Sequence, residues 1–229
     1  MITSITVKTF PAMPMSYFNF SISGASNAEA YWEASAYLLA KYPSLINSGV
    51  FGYVITGGSY PVTASSFAAL YIGYFIGPNK PLSEVAGALT PLLEYINTTW
   101  PGQFSIVYDT SSYPDFYSWY LAAFPDSDFG VGTDGLVASR FLDANALSAP
   151  QETLVQTLKE STPTPGYVSI NMIAGPGLWN AVPSGGSDSI HPGWRKAYVE
   201  FSRYPPPNIY YSRHPAIIVS HYLTRTIAS

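Results

Sequence analysis

Strand-like and helix-like segments alternate irregularly along this chain, and this irregularity most restricts the fold. Residues 15–23, 50–56 and 67–76 have the β-rich composition of strands. Residues 28–41 and 82–96 instead space their apolar side chains as amphipathic helices do. The regular βαβ repeat of about thirty residues that accompanies a parallel sheet is absent. The sequence therefore predicts an α+β fold, with a largely antiparallel sheet flanked by helices.

Proline and glycine residues set the expected ends of these segments. Pro43 should end the first helix and Pro91 should kink the second, because proline removes a backbone donor and clashes with the preceding turn. Gly49 should close the first helical segment. The remaining expected elements are strands at 2–9, 104–108, 136–141 and 167–173, and helices at 113–123 and 150–160.

Composition and charge exclude several classes of function. The 229 residues contain 10 Lys and Arg against 14 Asp and Glu, a net charge of -4, so no nucleic-acid partner is expected. Hydrophobic residues make up 47% and charged residues 10%, which argues against intrinsic disorder. No apolar run reaches the ~18 residues of a membrane span, so no membrane partner is expected. The absence of Cys excludes thiol nucleophiles, thiolate metal sites and disulfides.

Motifs for common hydrolytic and metal-dependent mechanisms are incomplete. Gly57-Gly58-Ser59-Tyr60-Pro61 lacks the last glycine of a nucleophile elbow. The three histidines show no zinc-site spacing, so no metal is expected. Residues 185–187 fit a turn better than a phosphate-binding loop. Asp188 and His191 leave two interpretations open: a carboxylate that orients a catalytic imidazole, or a surface turn before Pro192.

Two segments carry a resemblance to a known family. Residues 189–197, SIHPGWRKA, resemble the (S/V)-x-(N/H)-P-(A/G)-W-R-x-A signature of fungal FAD-linked oxidoreductases. These enzymes form the berberine-bridge-like, p-cresol-methylhydroxylase-type group of the vanillyl-alcohol-oxidase superfamily. Residues 2–11, ITSITVKTFP, are similar to the strand by which that group enters its substrate domain. The likeness covers about residues 1–201.

The resemblance implies an oxidase or dehydrogenase that transfers hydride from an alcohol, amine or carbon centre to FAD. Residues 1–201 are then expected to be its substrate-binding domain, and residues 202–229 a divergent, poorly ordered tail. In that family a separate N-terminal domain holds most of the flavin. The expected partners are therefore a small-molecule substrate and a separate flavin-binding domain.

The resemblance also implies that one face of the sheet turns polar side chains toward the flavin. Strand position and the signature nominate four catalytic candidates: Tyr53, Tyr108, Asn171 and His191. They also nominate three substrate-binding candidates: Tyr71, Tyr198 and Glu200. A register error of one residue moves a side chain to the other face, so the sequence leaves these faces open. No cofactor-binding residue is assigned, and Trp194 and Arg195 are expected to serve packing.

Two functions follow from these observations. The first is an FAD-dependent oxidoreductase that acts on a small organic, secondary-metabolite substrate, here as a truncated chain. The second is an inactive fragment or a non-redox module that holds an apolar or aromatic ligand on an aromatic wall. The aromatic share of 16% fits either function, since aromatic rings also fill ordinary cores.

Overall fold

The computed structural model describes residues 3–6, 11–63, 65–124, 138–172, 174–180 and 191–203. In these ranges the strands form one seven-stranded sheet in the order β4-β1-β3-β2-β6-β7-β5. All six neighbouring pairs are antiparallel, which confirms the predicted α+β class. The strands are β1 (Met15–Gly24), β2 (Phe51–Pro61), β3 (Phe67–Pro78), β4 (Phe104–Tyr113), β5 (Ala138–Leu142), β6 (Gly166–Met172) and β7 (Val199–Arg203).

Helices cover the two faces of this sheet unequally. The helices of the described ranges are α1 (Glu29–Asn47), α2 (Leu82–Thr99), α3 (Phe116–Ala123), α4 (Ala144–Leu147), α5 (Gln151–Ser161) and α6 (Pro176–Trp179), with a 3-10 helix at Pro192–Arg195. The main core lies between the sheet and a layer that contains α1, α2 and α5. The short helix α3 instead packs on the opposite face. The face without α1, α2 and α5 is called the open face below.

Aromatic side chains dominate the main core. Strand alternation sends Phe18 and Phe20 of β1 toward the helices, where both are buried. The Phe20 ring stacks on Tyr71 at 5.8 Å and on Phe75 at 5.5 Å between ring centroids. Large rings bury much apolar area per residue, so this stack contributes strongly to the stability of the central strands.

The expectation that Pro43 ends the first helix is wrong. Helix α1 continues through Pro43 to Asn47, and Gly49 follows with φ +81°. Tyr42, Leu45 and Ile46 are buried around the proline, and their burial offsets its lost hydrogen bond. Helix α2 likewise continues through Pro91 to Thr99.

The two ends of the chain lie largely outside the described ranges. Residues 3–6 of the predicted first strand are exposed and form no strand there, because no described neighbour pairs with them. Ser202 and Arg203 still belong to β7, whereas residues 204–229 lie outside the described ranges. None of the described helices is both long and apolar enough to cross a membrane.

Three buried tyrosine hydroxyls connect α1 to the sheet. Tyr31 donates to the Leu70 carbonyl oxygen at 2.7 Å and shares a hydrogen bond with Thr56 Oγ1 at 2.5 Å. The hydroxyls of Tyr42 and Tyr71 bind each other. Burial raises the pKa of all three phenols above the ordinary value of 10.0.

Tyr42→Phe is expected to lower the free energy of unfolding by about 1–3 kcal/mol, because it leaves the buried Tyr71 hydroxyl without its partner. The double variant Tyr42→Phe/Tyr71→Phe should recover most of that loss. Urea unfolding of the four proteins in this cycle measures the coupling. Strictly additive losses would contradict it.

Because these three tyrosines are buried, we expect the chain to lose stability at alkaline pH. Their pKa is raised by folding, so their contribution is complete below the ordinary value of 10.0 and is lost as the pH rises above it. The double variant should therefore lose less stability above pH 10 than the parent chain. If the double variant and the parent chain lost the same stability above pH 10, the loss would belong to other titratable groups.

Candidate functional site

A row of directly opposed residues crosses the open face of the sheet. Asn19 of β1 pairs with Tyr74 of β3, and Tyr74 pairs with Tyr53 of β2. The row continues from Tyr53 to Asn171 of β6 and then to Glu200 of β7. Asp109 of β4 and Phe141 of β5 lie at its two ends. These seven residues, one from each strand, are called the open-face row.

Strand alternation explains why this row is polar. In β1, Phe18 and Phe20 point into the main core, so Asn19 between them points to the open face. In β6, Ile170 and Met172 are buried in the same core and leave Asn171 on the open face. Every strand keeps this alternation in register, so the polar side chains meet although they are distant in sequence.

Two contacts set the geometry of the centre of the row. The Tyr53 and Tyr74 rings stack with centroids 4.6 Å apart and planes inclined by 17°. The Ser169 hydroxyl donates to Oδ1 of Asn171 at 2.9 Å. This bond orients the Asn171 amide and leaves its NH₂ group as a hydrogen-bond donor. The centre therefore places the half-buried Tyr53 ring, backed by the buried Tyr74 ring, beside an oriented amide, with the half-buried Glu200 one strand away.

Helix α3 borders the row on the β1 side. Trp119 is buried there and meets the Tyr17 ring edge-on at 6.1 Å. The Asp115 carboxylate accepts a hydrogen bond from the Ser118 backbone N–H at 2.7 Å, which caps α3. This bond lowers the pKa of Asp115 below the ordinary value of 3.8. An ionised cap thus holds α3 over this part of the open face.

The segment that contains the family signature borders the opposite end. The Trp194 and His191 rings lie 4.9 Å and 6.1 Å from Phe141, the residue opposite Glu200. Nδ1 of His191 accepts a hydrogen bond from the Gly193 N–H at 3.0 Å, a contact typical of a turn. Arg195 donates to the Leu178 carbonyl oxygen at 3.1 Å, a packing contact. Asp188 and residues 185–187 lie outside the described ranges.

The structure brings three of the predicted site residues into this row: Tyr53, Asn171 and Glu200. His191 lies beside the end of the row, in contact with Phe141. Tyr74 and Asn19 were not among the sequence candidates. Alternation within their strands could have placed each on a face, but only the strand order brings them beside Tyr53.

The other three predicted residues lie elsewhere. Tyr71 is on the helix-covered face, 1% exposed and bonded to Tyr42, which makes it a core residue. Tyr108 stacks on Phe18 at 5.3 Å at the β4 edge of that same face and is 52% exposed. Tyr198 packs on Trp179 at 4.5 Å, and its hydroxyl donates to Oδ1 of Asn47 at 3.3 Å. These positions separate all three from the row.

No charged cluster in the described part of the chain resembles a metal site. There, no group of three or more His, Cys, Asp or Glu side chains is arranged to hold a metal ion. The open-face row itself contains carboxylates, amides and phenol rings.

Comparison with known proteins agrees with this architecture. No protein-family model matches the chain. A curated protein, FAD-linked oxidoreductase apf9 of Gibberella fujikuroi, is 25% identical over 203 residues, which cover 86% of this chain and 34% of that protein. The chain is thus similar to an FAD-linked oxidoreductase over most of its own length.

Two solved VAO-type flavoproteins share the fold of this chain. The VAO-type flavoprotein MtVAO713 of Myceliophthora thermophila superposes with a TM-score of 0.68 at 20% identity, over 83% of this chain and 34% of that one. MtVAO615 of the same organism gives a TM-score of 0.62 at 15% identity, over 93% of this chain and 36% of that one. The chain thus spans about a third of the length of each of these similar proteins.

Proposed function

We propose that this chain forms the substrate-facing part of an FAD-dependent oxidoreductase, and that the open-face row positions a small organic substrate beside the flavin ring. The observation that carries the proposal is the meeting of Tyr53, Asn171 and Glu200 from three strands in one register. Bound FAD would accept the hydride of the substrate, which carries both electrons of the oxidation.

The residues of the row suit the ring end of the cofactor. A flat aromatic surface at Tyr53 and Tyr74 matches the planar shape of a flavin or of an aromatic substrate. The Asn171 amide can donate to a carbonyl or hydroxyl oxygen. Because the chain spans 34% of its curated relative, we assign the phosphate end of FAD to a separate flavin-binding domain.

Each central residue has a distinct role in this proposal. The Asn171 NH₂ group donates to the substrate oxygen and orients the carbon that loses hydride. The Glu200 carboxylate accepts the proton that leaves the substrate hydroxyl or amine. Neighbouring strands lie about 4.8 Å apart, so a substrate over Asn171 reaches both Tyr53 and Glu200 across roughly 10 Å. A single ring with one hydroxyl or amine fits that span.

Flavin titration of the purified chain tests this proposal. Quenching of flavin fluorescence should saturate with FAD, and riboflavin should bind with similar affinity because the chain contacts only the ring. Tyr53→Ala should weaken the binding of FAD and of riboflavin at least about tenfold, because the aromatic surface is lost. Tyr108→Ala, which removes an exposed tyrosine at the β4 edge of the helix-covered face, is the matched control and should leave the binding of both flavins unchanged.

Two results would overturn the proposal. Absence of saturable binding for either flavin would argue for an inactive fragment. Binding of an aromatic alcohol without any flavin binding would instead favour the non-redox binding module.

A further inference from the structure

A second concave site lies on the helix side of the sheet, away from the open-face row. It is a pocket of about 480 Å³, within the size range of small-molecule sites. We call it the helix-side pocket, and its lining residues are Glu33, Tyr37, Tyr95, Thr99, Trp100 and Gln151. They come from α1, from α2 and the residue after it, and from the first residue of α5.

Three aromatic rings form one side of the pocket. Tyr37 and Tyr95 stack with centroids 4.3 Å apart, and the Trp100 ring meets Tyr95 edge-on at 6.3 Å. Tyr95 is 46% exposed, so part of this surface is open to solvent. Lys41 Nζ lies 5.0 Å from the centroid of the Tyr37 ring, so an ammonium group already occupies a cation–π position beside the pocket.

A carboxylate lines the pocket beside these rings. Oε2 of Glu33 accepts a hydrogen bond from Trp100 Nε1–H at 2.8 Å, which holds the half-buried carboxylate against the indole. The Gln151 side chain donates to the backbone oxygen of Glu33 at 2.7 Å and ties the start of α5 to α1. The two ion pairs of the described residues are Lys80–Glu84 and Lys159–Glu29, so Glu33 forms none there.

The Tyr95 and Trp100 rings, together with a carboxylate that forms no ion pair in the described ranges, favour a positively charged ligand. Aromatic faces attract alkylated ammonium ions, and a carboxylate adds a direct charge attraction. We propose that the helix-side pocket binds a small quaternary ammonium ion, with Glu33 as its counter-charge and Tyr95 and Trp100 as its aromatic wall. This site is independent of the proposed flavin function, because it lies on the opposite face of the sheet.

Calorimetric titration with choline and with 3,3-dimethylbutanol, its neutral isostere, tests the charge requirement. Choline should bind the purified chain at least about tenfold more tightly than the isostere, because only choline carries the charge. Glu33→Gln should remove this preference and leave the isostere unaffected. Tyr95→Ala should weaken choline binding at least about tenfold, because one aromatic ring of the wall is lost.

Matched controls keep the result specific to the pocket. Glu94→Gln removes one exposed carboxylate from α2 outside the pocket and should leave choline affinity unchanged. Circular dichroism of each variant should match that of the parent chain. The proposal would be overturned by equal affinity for choline and its isostere, by unchanged choline affinity in Glu33→Gln, or by the absence of binding heat with choline. Tighter binding of methyl glucoside than of choline would also overturn it and would identify a sugar site instead.

Discussion

Under the proposed function, Glu200→Gln is expected to lower kcat about 10²- to 10⁴-fold in a flavin-loaded protein that joins this chain to a flavin-binding domain. Glutamine keeps the size and hydrogen-bonding shape of the side chain but does not accept the substrate proton. Flavin affinity should stay unchanged, because Glu200 lies two strands from the Tyr53 surface. Anaerobic stopped-flow measurement of flavin reduction by small alcohols and amines gives the rate directly.

A charge control separates this role from a general electrostatic effect. Glu152→Gln removes the same charge from the exposed surface of α5 and should leave the reduction rate unchanged. Asn171→Ala should raise KM more than it lowers kcat, because it removes orientation and keeps the proton acceptor. An unchanged kcat in Glu200→Gln would exclude Glu200 as the proton acceptor.

Gly52→Ala is expected to lower the free energy of unfolding of the chain by about 3 kcal/mol or more. A Cβ atom at this position would lie 2.0 Å from the Tyr74 carbonyl oxygen and 3.0 Å from Cα of Phe75. Both atoms belong to the backbone of β3, which is paired on both of its sides and has no room to shift. Overpacking of a core costs about 1–3 kcal/mol or more, against a typical stability of about 5–15 kcal/mol, and a backbone clash belongs at the upper end.

Gly87→Ala is the matched control for this substitution. Gly87 is exposed within α2, and an added Cβ meets no atom within 4 Å. Alanine there should raise the free energy of unfolding by about 0.5–1 kcal/mol, because glycine loses more backbone entropy in a helix. Urea unfolding of both variants measures the contrast, and a mild effect of Gly52→Ala would contradict the close approach of β2 and β3.

Local patterns allowed much of the fold to be predicted. The composition of residues 15–23, 50–56 and 67–76 identified strands that the structure contains as β1, β2 and β3. Gly49 ended the first helical segment as expected, with a positive φ. The prediction that the first helix ends at Pro43 was wrong. The free-energy cost of an internal proline is visible in the local sequence, whereas the side-chain burial that offsets this cost depends on packing against the sheet.

The candidate site could be predicted only in part. Tyr53, Asn171 and Glu200 were identified as polar residues at strand positions, and the structure places them side by side. Tyr71 had the same local appearance but lies in the core beneath α1. A shift of one residue in strand register decides whether a side chain lies on the open face or in the core. Neither strand carries a local signal that predicts which face it takes.

The sequence by itself determined the element types, the antiparallel class and the family signature, because these depend on short-range periodicity and on residue identity. Only the tertiary structure decided the strand order β4-β1-β3-β2-β6-β7-β5 and the register across it. Tyr53 and Glu200 are 147 positions apart in the chain, yet two ladders of backbone hydrogen bonds bring them into one row. Such pairing depends on which faces the helices bury, a property of the whole packed core.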